Sequence, residues 1–286
     1  MYLATVRTAS GTRAVKRIEE QGQQQLLELG YPDLRALLTD DDGLARAAQA
    51  DDGDRYAPED VQFVAPVTPD KVVCVRHNYG DHIKRLGLTL PQHPRLSTKF
   101  ASSIIGPYDP IAKPADAHAL DCAVELVVVI GRPVRHPDET QARAAIAGFT
   151  VINDVADRDL EFQAEEWGLG NIWDGSSPLG PYLVTPDELP GGVTPTLTLT
   201  TTVDGREVQR GNTADLHFSP VQLVQHVARF MHLNPGDVIA SGSPSAPSHD
   251  HGPEAHLREG QQIVTAIEGI GECRNTVTSA GPVDPA

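Results

Sequence analysis

Short apolar runs, each bounded by Gly, Pro or Asp, recur after Val64 and restrict the chain to folds built mainly from strands. The runs are long enough for a strand and too short for most helices. They lie at 71–75, 124–130, 149–152, 197–203 and 263–267. The 25 Gly and 23 Pro among 286 residues supply the turns that such a fold needs. We therefore expect an α+β fold with a β-rich core.

A β-hairpin is predicted around Asp204-Gly205. Residues 197–203 alternate apolar side chains with threonines, a pattern that is typical of a half-buried strand. The Asp-Gly pair then supplies the two positions of positive φ that a two-residue turn requires. The run and the turn together predict two antiparallel strands.

Capping-box residues mark two helices. Ser219 and Gln222 have the spacing of such a box, Pro220 takes the first helical position, and an apolar stripe continues to Met231. An Asp and a Gln with the same spacing begin a second predicted helix at 138–147. Strands still outnumber helices in this prediction.

The N-terminal part of the chain differs from the rest in its pattern of apolar and charged residues. Residues 1–64 combine weak alternation, a short predicted helix at 33–38 and an acidic stretch at 40–54. We interpret them as a small N-terminal subdomain with a solvated connector. Residues 65–280 hold most of the strand-like runs and form the predicted main domain, and 281–286 form a tail.

The charge balance restricts the partners of the chain. Its 23 Lys and Arg against 39 Asp and Glu give a net charge of −16, which repels nucleic acid and anionic lipid. We predict neither a nucleic-acid nor a membrane partner.

Cys74, Cys122 and Cys273 show no disulfide or metal-ligand spacing, and no signal peptide or membrane span is recognisable. These features predict a cytoplasmic protein.

Eight segments between about Val72 and Val277 carry motifs in a fixed order. They are CVRHNYGDH (74–82), STKFASSIIGPYDPI (97–111), DCAVELVVVIG (121–131), GFTVINDVADRDL (148–160), WGLGNIWDGSSPLGP (167–181), GNTADLHFS (211–219), RFMHLNPGDVIASGSP (229–244) and IEGIGECRN (267–275). In order and spacing they resemble the catalytic domain of the fumarylacetoacetate hydrolase family, which cleaves, decarboxylates or tautomerises small oxo-acids. The resemblance implies a mixed β-roll with a small N-terminal domain, a homodimer and a small-molecule substrate.

The family resemblance implies a divalent metal, commonly Mg or Mn, held by a Glu-x-Glu pair and an aspartate. Glu125 and Asp154 stand at two of these positions, whereas Ala123 replaces the first glutamate. Because strand side chains alternate, Asp121 is a candidate to approach the vacated place directly or through water. Magnesium tolerates few protein ligands. A weakened metal site or none is therefore expected.

The residues that activate water in the family are also altered. In hydrolytic members a His-x-x-Glu pair is implied, and here His82 remains while Arg85 replaces the glutamate. A neighbouring cation disfavours protonated imidazole and makes His82 a poorer base unless a carboxylate such as Asp81 takes over. The candidate catalytic residues are His82, Lys99, Glu125 and Asp154. The candidates for substrate binding are Arg76, Asn78, Tyr79, Arg85, Asn171 and Ser243.

Two of these candidates also depart from the family pattern. Asn171 replaces the lysine of a Gly-Lys pair, and Ser243 keeps the hydroxyl of a Gly-Thr-Pro motif. The segment His249-Asp250-His251 replaces part of a glycine-rich loop. It is open to three interpretations, as a solvated loop, a lid over the substrate or a metal site, and its sequence favours the first.

These departures favour an enzyme that acts on a small oxo-acid through an enol or enolate without hydrolysis. Isomerisation, decarboxylation, dehydration and cyclisation all fit this hypothesis, since each places negative charge on a carbonyl oxygen. One alternative is a metal-dependent hydrolase of acylpyruvates, marked by metal-dependent turnover. The other is an inactive homologue that serves as a binding subunit, marked by correct folding without turnover.

Overall fold

The computed structural model describes residues 1–20, 22–163 and 168–279. The tail predicted at 281–286 and Trp167 of the fifth motif lie outside the described residues. The strands are β1 (Tyr2–Thr8), β2 (Gly11–Glu20), β3 (Gln23–Glu28), β4 (Arg55–Tyr56), β5 (Gln62–Phe63), β6 (Val72–Arg76), β7 (Arg95–Lys99), β8 (Ile104–Ile105), β9 (Ile111–Lys113), β10 (Leu120–Asp121), β11 (Val124–Ile130), β12 (Ile146–Asn153), β13 (Ala156–Asp157), β14 (Ser177–Val184), β15 (Thr198–Val203), β16 (Arg206–Asn212), β17 (Val238–Ala240), β18 (Gln262–Ile267) and β19 (Gly271–Ser279). The helices are α1 (Leu34–Thr39), α2 (Gly43–Gln49), α3 (Gly80–Arg85), α4 (Glu139–Ala145), α5 (Arg158–Phe162), α6 (Pro220–Val227) and α7 (Pro247–His251). The fold is of the α+β class with mostly strands, as the apolar runs predicted.

A large sheet forms the centre of the fold. Its hydrogen-bonded order is β4-β3-β2-β1-β14-β12-β11-β17-β6-β7, with β5 beside β1 and β8 beside β14. A second sheet has the order β16-β15-β18-β19-β9. Every side chain of β11 and β12 is buried, because both faces of the large sheet are covered at this point. This explains why the run 124–130 is apolar throughout rather than alternating.

The two faces of β11 contribute to different hydrophobic clusters. Val128 and its neighbours at even positions pack with α4, α6 and strands of the second sheet. Val127 and Val129 point the other way and pack with side chains of α1. Since strand side chains alternate, Glu125 shares the face of Val127 and lies near the first residue of the strand. A carboxyl group is therefore brought to the end of an apolar layer.

The turn and cap residues form the elements that they predicted. Asp204 and Gly205, with φ of 49° and 78°, connect β15 to β16. Ser219 caps α6 in a complete capping box, and an equivalent box begins α4. The predicted lengths were too great, however. Helix α6 ends at Val227 rather than near Met231, and α4 ends where β12 begins.

The N-terminal residues are joined to the main sheet. Strand β1 pairs with β14, so the hairpins of β1, β2 and β3 continue the large sheet at one side. The predicted helix at 33–38 is observed as α1, capped by Asp33. The acidic stretch at 40–54 is more than a connector, since it contains α2. Among the described helices, none has both the length and the apolar character that crossing a bilayer requires.

Candidate active site

The ends of four neighbouring strands meet at one edge of the large sheet. Strands β6 and β17 are parallel, β11 is antiparallel to β17, and β12 is antiparallel to β11. Thus β6, β17 and β12 end where β11 begins. A chamber of about 100 Å³ lies at this edge. It is lined by five of the predicted site residues, namely Arg76, His82, Glu125, Asp154 and Ser243.

A buried ion pair lies beside the chamber. Lys99 Nζ is 2.8 Å from Asp154 Oδ1, and the two side chains are 0% and 15% exposed. The ammonium also donates to the backbone carbonyls of Val155, at 3.0 Å, and Asn171, at 2.9 Å. An ammonium group has three donors, and three oxygens surround this one. Lys99 is therefore held in place next to a carboxylate that faces the chamber.

Glu125 is the second carboxyl group in the chamber. Its Oε2 accepts the backbone N–H of Gly242 at 2.7 Å. Burial, and then the nearby carboxylate of Asp154, raise the pKa of Glu125 well above its usual range. Gly242 adopts a φ of +94°, and a Cβ there would lie 2.8 Å from the carbonyl oxygen of Val75. Two carboxyl groups in different surroundings thus face one space, an arrangement suited to acid–base chemistry.

Charged side chains form a network along one wall of the chamber. Arg158 contacts Asp121 through Nε at 3.1 Å and Glu161 through Nη1 at 2.7 Å. Arg76 Nη2 contacts the other oxygen of Glu161 at 2.6 Å. Burial lowers the pKa of Arg158, but the two carboxylates more than offset this and raise it above its usual value. No role for Arg158 or Glu161 follows from the sequence, because motifs do not show which distant charges pair.

Asp121 does not take the place of the missing glutamate. Its carboxylate is buried against Arg158, and Ser248 Oγ donates to it at 2.6 Å. The expectation rested on alternation along one strand, but Asp121 belongs to β10, and β11 begins only at Val124. The intervening residues break the alternation. This corrects the prediction of Asp121 as a metal ligand.

Four of the predicted substrate-binding residues are not among the described residues that line the chamber. Asn78 is buried and bonds to the backbone of Phe218 and Ser241, and Tyr79 is buried in the hydrophobic core. Arg85 donates to the carbonyl of Pro244 at 2.8 Å. Asn171 is also buried, and its backbone carbonyl supports Lys99. In the structure these four residues support the walls of the site, and substrate binding by their side chains stays a prediction.

His77 lies just before Asn78 in the first motif, where the sequence leaves open whether it fills the entrance to a pocket or packs, and it lines the chamber. It follows β6 and has a φ of 53°, in the left-handed region. Its side chain lines both the chamber and an outer vestibule of about 600 Å³ that also contains Leu88 and Arg95. Burial, followed by the charges of Arg95 and Arg76, lowers the pKa of His77. Positive φ at a histidine has no sequence signature, so the sequence does not predict this backbone conformation.

The segment that replaces the glycine-rich loop lies over the site. Its backbone forms α7, where a solvated loop was expected. Ala246 lines both the chamber and the vestibule, and Ser248 lines the vestibule. The side chains of His249 and His251 lie outside the described part of the chain. A helix that covers the site agrees better with the interpretation as a lid than with the interpretation as a solvated loop.

The donor set of the chamber does not fit a resident metal with three carboxylate ligands. Ala123 lines the place of one ligand, Asp154 is paired with Lys99, and Asp121 is paired with Arg158. In the described ranges, no three His, Cys, Asp or Glu residues are arranged to hold a metal ion. Two carboxyl groups remain at the site.

Comparison with known proteins gives a consistent assignment. Residues 71–278 match the family model described as fumarylacetoacetate (FAA) hydrolase C-terminal. Over 221 residues the chain is 41% identical to a mitochondrial oxaloacetate tautomerase of Homo sapiens. The matched region covers 76% of this chain and 70% of that protein. A 5-carboxymethyl-2-hydroxymuconate delta-isomerase from Mycobacterium smegmatis has a TM-score of 0.79 at 29% identity, covering 98% of this chain and 100% of the other. A fumarylacetoacetate hydrolase from Exiguobacterium antarcticum has a TM-score of 0.82 at 31% identity, covering 98% and 99%. The chain therefore belongs to the fumarylacetoacetate hydrolase family.

Proposed function

We propose that this chain catalyses the non-hydrolytic interconversion of the enol and keto forms of a small 2-oxo acid. One observation carries the proposal. Asp154, paired with Lys99 at 2.8 Å, and Glu125 both line a chamber of about 100 Å³. Relatives named as an oxaloacetate tautomerase and a muconate isomerase support the reaction class.

The chemistry needs a proton to leave carbon and another to reach oxygen. A base takes the proton from the carbon beside the carbonyl, the C–H electrons form the C=C bond, and the carbonyl oxygen becomes an enolate. Asp154 or His82 supplies the base, and Glu125 supplies an acid for the enolate oxygen. The cation of Lys99 holds Asp154 in position at 2.8 Å and stabilises negative charge nearby.

Hydrolysis requires an activated water, and the family resemblance implies that a glutamate orients the histidine that activates it in hydrolytic members. Arg85 stands in the place of this glutamate and donates to the carbonyl of Pro244 instead of contributing a carboxylate. Loss of this partner affects water activation more than proton transfer on carbon, because tautomerisation needs no nucleophile. The altered pair therefore favours the non-hydrolytic reaction.

The experiment follows enol-oxaloacetate by ultraviolet absorbance with the purified protein, and follows acylpyruvate cleavage in parallel. We expect rapid enol–keto conversion and no cleavage, both in chelator and with added Mg²⁺. Cleavage that needs Mg²⁺ would identify the hydrolase instead. A folded protein with no activity towards either compound contradicts the proposal and favours the inactive binding subunit.

We further propose that Mg²⁺ or Mn²⁺ binds weakly to the wild type at Glu125 and Asp154, and that Ala123→Glu strengthens this binding. Ala123 lines the chamber, and a third carboxylate there supplies the missing oxygen ligand. Calorimetric titration should show a gain in Mg²⁺ affinity of at least about tenfold, or ~1.4 kcal/mol. Ala123→Gln, which adds similar bulk without charge, is the matched control. Equal affinities of the Glu and Gln variants would refute the assignment of Ala123.

A further inference from the structure

His77 occupies a position that favours glycine. It lies between β6 and α3, and its φ of 53° is uncommon for residues with a Cβ. Unusual backbone of this kind concentrates at functional sites, where surrounding contacts maintain it. His77 also lies at the junction of the chamber and the vestibule. Its place in the fold therefore points to a role beyond packing.

The contact with Arg95 determines which nitrogen of His77 carries the proton. Arg95 Nη1 is 3.4 Å from His77 Nδ1. A guanidinium group can donate hydrogen bonds but cannot accept them. His77 Nδ1 must therefore be the acceptor, and in the neutral ring the proton lies on Nε2. Arg95 consequently selects a tautomer with one N–H donor at Nε2.

The charges around His77 favour the neutral ring. Arg95 contacts it and Arg76 precedes it, and both are cations. The ring of His82 is also close, with the two centroids 6.5 Å apart. Burial adds to the effect of the two arginines and lowers the pKa of His77. A second positive charge in this place is thus unfavourable, and His77 is kept as an uncharged donor.

We propose that His77 is a catalytic residue whose neutral imidazole donates its Nε2–H to the substrate oxygen that becomes the enolate. The inference rests on the proposed function and adds a residue to it. No covalent bond to His77 forms or breaks, since the base takes the carbon proton and the Nε2 proton stays on the ring. The hydrogen bond strengthens as negative charge develops on oxygen, and this lowers the barrier.

A donor at His77 compensates for two groups of the family pattern that this chain lacks. Ala123 and Asn171 replace a metal ligand and a lysine of that pattern, so two sources of positive charge at the substrate oxygen are weakened or lost. A neutral donor at the chamber can polarise a carbonyl in their place. Triosephosphate isomerase, a standard example, uses a neutral histidine in this way.

The first test compares His77→Gly with His136→Gly. His136 is exposed and has a φ of 49°, so glycine removes the strain of a similar positive φ at a residue that does not line the chamber. For His77→Gly we expect an unchanged or higher melting temperature. We also expect a fall in kcat for enol-oxaloacetate of about 100-fold, with a much smaller change in KM. His77→Gln, which restores an N–H donor, should recover part of the rate, and His136→Gly should match the wild type.

A second readout does not depend on turnover. Nitrogen chemical shifts of the His77 ring should report a proton on Nε2 and none on Nδ1 near neutral pH. Oxalate, a planar dianion that resembles an enolate, should perturb the Nε2 signal and bind at least about tenfold more weakly to His77→Gly than to His136→Gly. If the wild type lacks tautomerase activity but these shifts and affinities are observed, the proposed reaction fails while His77 remains a binding donor for enolate-like anions.

Three results would overturn the assignment of His77. The first is a proton on Nδ1 or a charged ring near neutral pH. The second is a His77→Gly protein that keeps kcat within about threefold of the wild type, because a lost donor to the developing charge has a larger effect. The third is a loss of folding stability in His77→Gly that exceeds the loss in His136→Gly, with equal oxalate affinity in both, which indicates a structural role.

Discussion

Replacement of Lys99 with Met lowers the free energy of unfolding by about 3–5 kcal/mol, since removing one partner of a buried pair leaves the other charge uncompensated. The carboxylate of Asp154 loses the cation at 2.8 Å. The carbonyls of Val155 and Asn171 lose their donor in the same change. Turnover of enol-oxaloacetate should fall by at least about 100-fold, because charge stabilisation beside the chamber is removed. Urea unfolding monitored by circular dichroism gives the stability change.

Two further variants separate charge pairing from packing at this site. In the double variant Lys99→Met and Asp154→Asn, the unpaired charge is absent, so much of the lost stability should return while activity does not. Lys84 pairs with Asp81 on the surface, where both side chains are 70% exposed. Lys84→Met should leave stability and turnover unchanged. A Lys99→Met protein as stable as the Lys84→Met protein contradicts the assigned ion pair.

The sequence predicts elements whose signals are local. The hairpin at Asp204 depends on two adjacent residues, and the caps of α4 and α6 depend on residues three apart. Each was found where its pattern predicted it. The ends of α4 and α6 were predicted less well. Ile146 already belongs to β12, where pairing with β11 replaces the helical conformation. Tertiary contacts therefore override a pattern that is locally helical.

The residues of the candidate site differ in how far the sequence can predict them. Glu125 and Asp154 stand in recognisable motifs and lie on the chamber. Tyr79 stands in a motif as well, but its ring is buried in the core. A motif gives the position of a residue and leaves the direction of its side chain open. The pairing of Arg76 with Glu161 joins residues 85 positions apart, and only the folded sheet brings them together.

Arg158→Met is expected to destabilise the protein at least as much as Lys99→Met. Asp121 and Glu161 are 0% and 2% exposed, and Arg158 contacts both. Breaking one buried pair costs about 3–5 kcal/mol. Asp121 loses its arginine in this variant, whereas Glu161 keeps Arg76 at 2.6 Å, so the loss should match or exceed the effect of Lys99→Met. The midpoint of urea unfolding should fall accordingly. A shift within about 1 kcal/mol of the wild type would show that the two carboxylates are stabilised by other groups.

A double variant provides the decisive comparison with Arg158→Met. Combining it with Asp121→Asn removes the carboxylate that has lost its cation and keeps the size of the side chain, while Glu161 stays paired with Arg76. The double variant should regain most of the lost stability. Ser248 still donates to residue 121 in that protein, because an amide oxygen accepts as a carboxylate oxygen does. Hydrogen exchange of α7 should therefore rise in Arg158→Met and return towards wild type in the double variant, since the position of α7 over the chamber depends on residue 121 and on the charge that orients it.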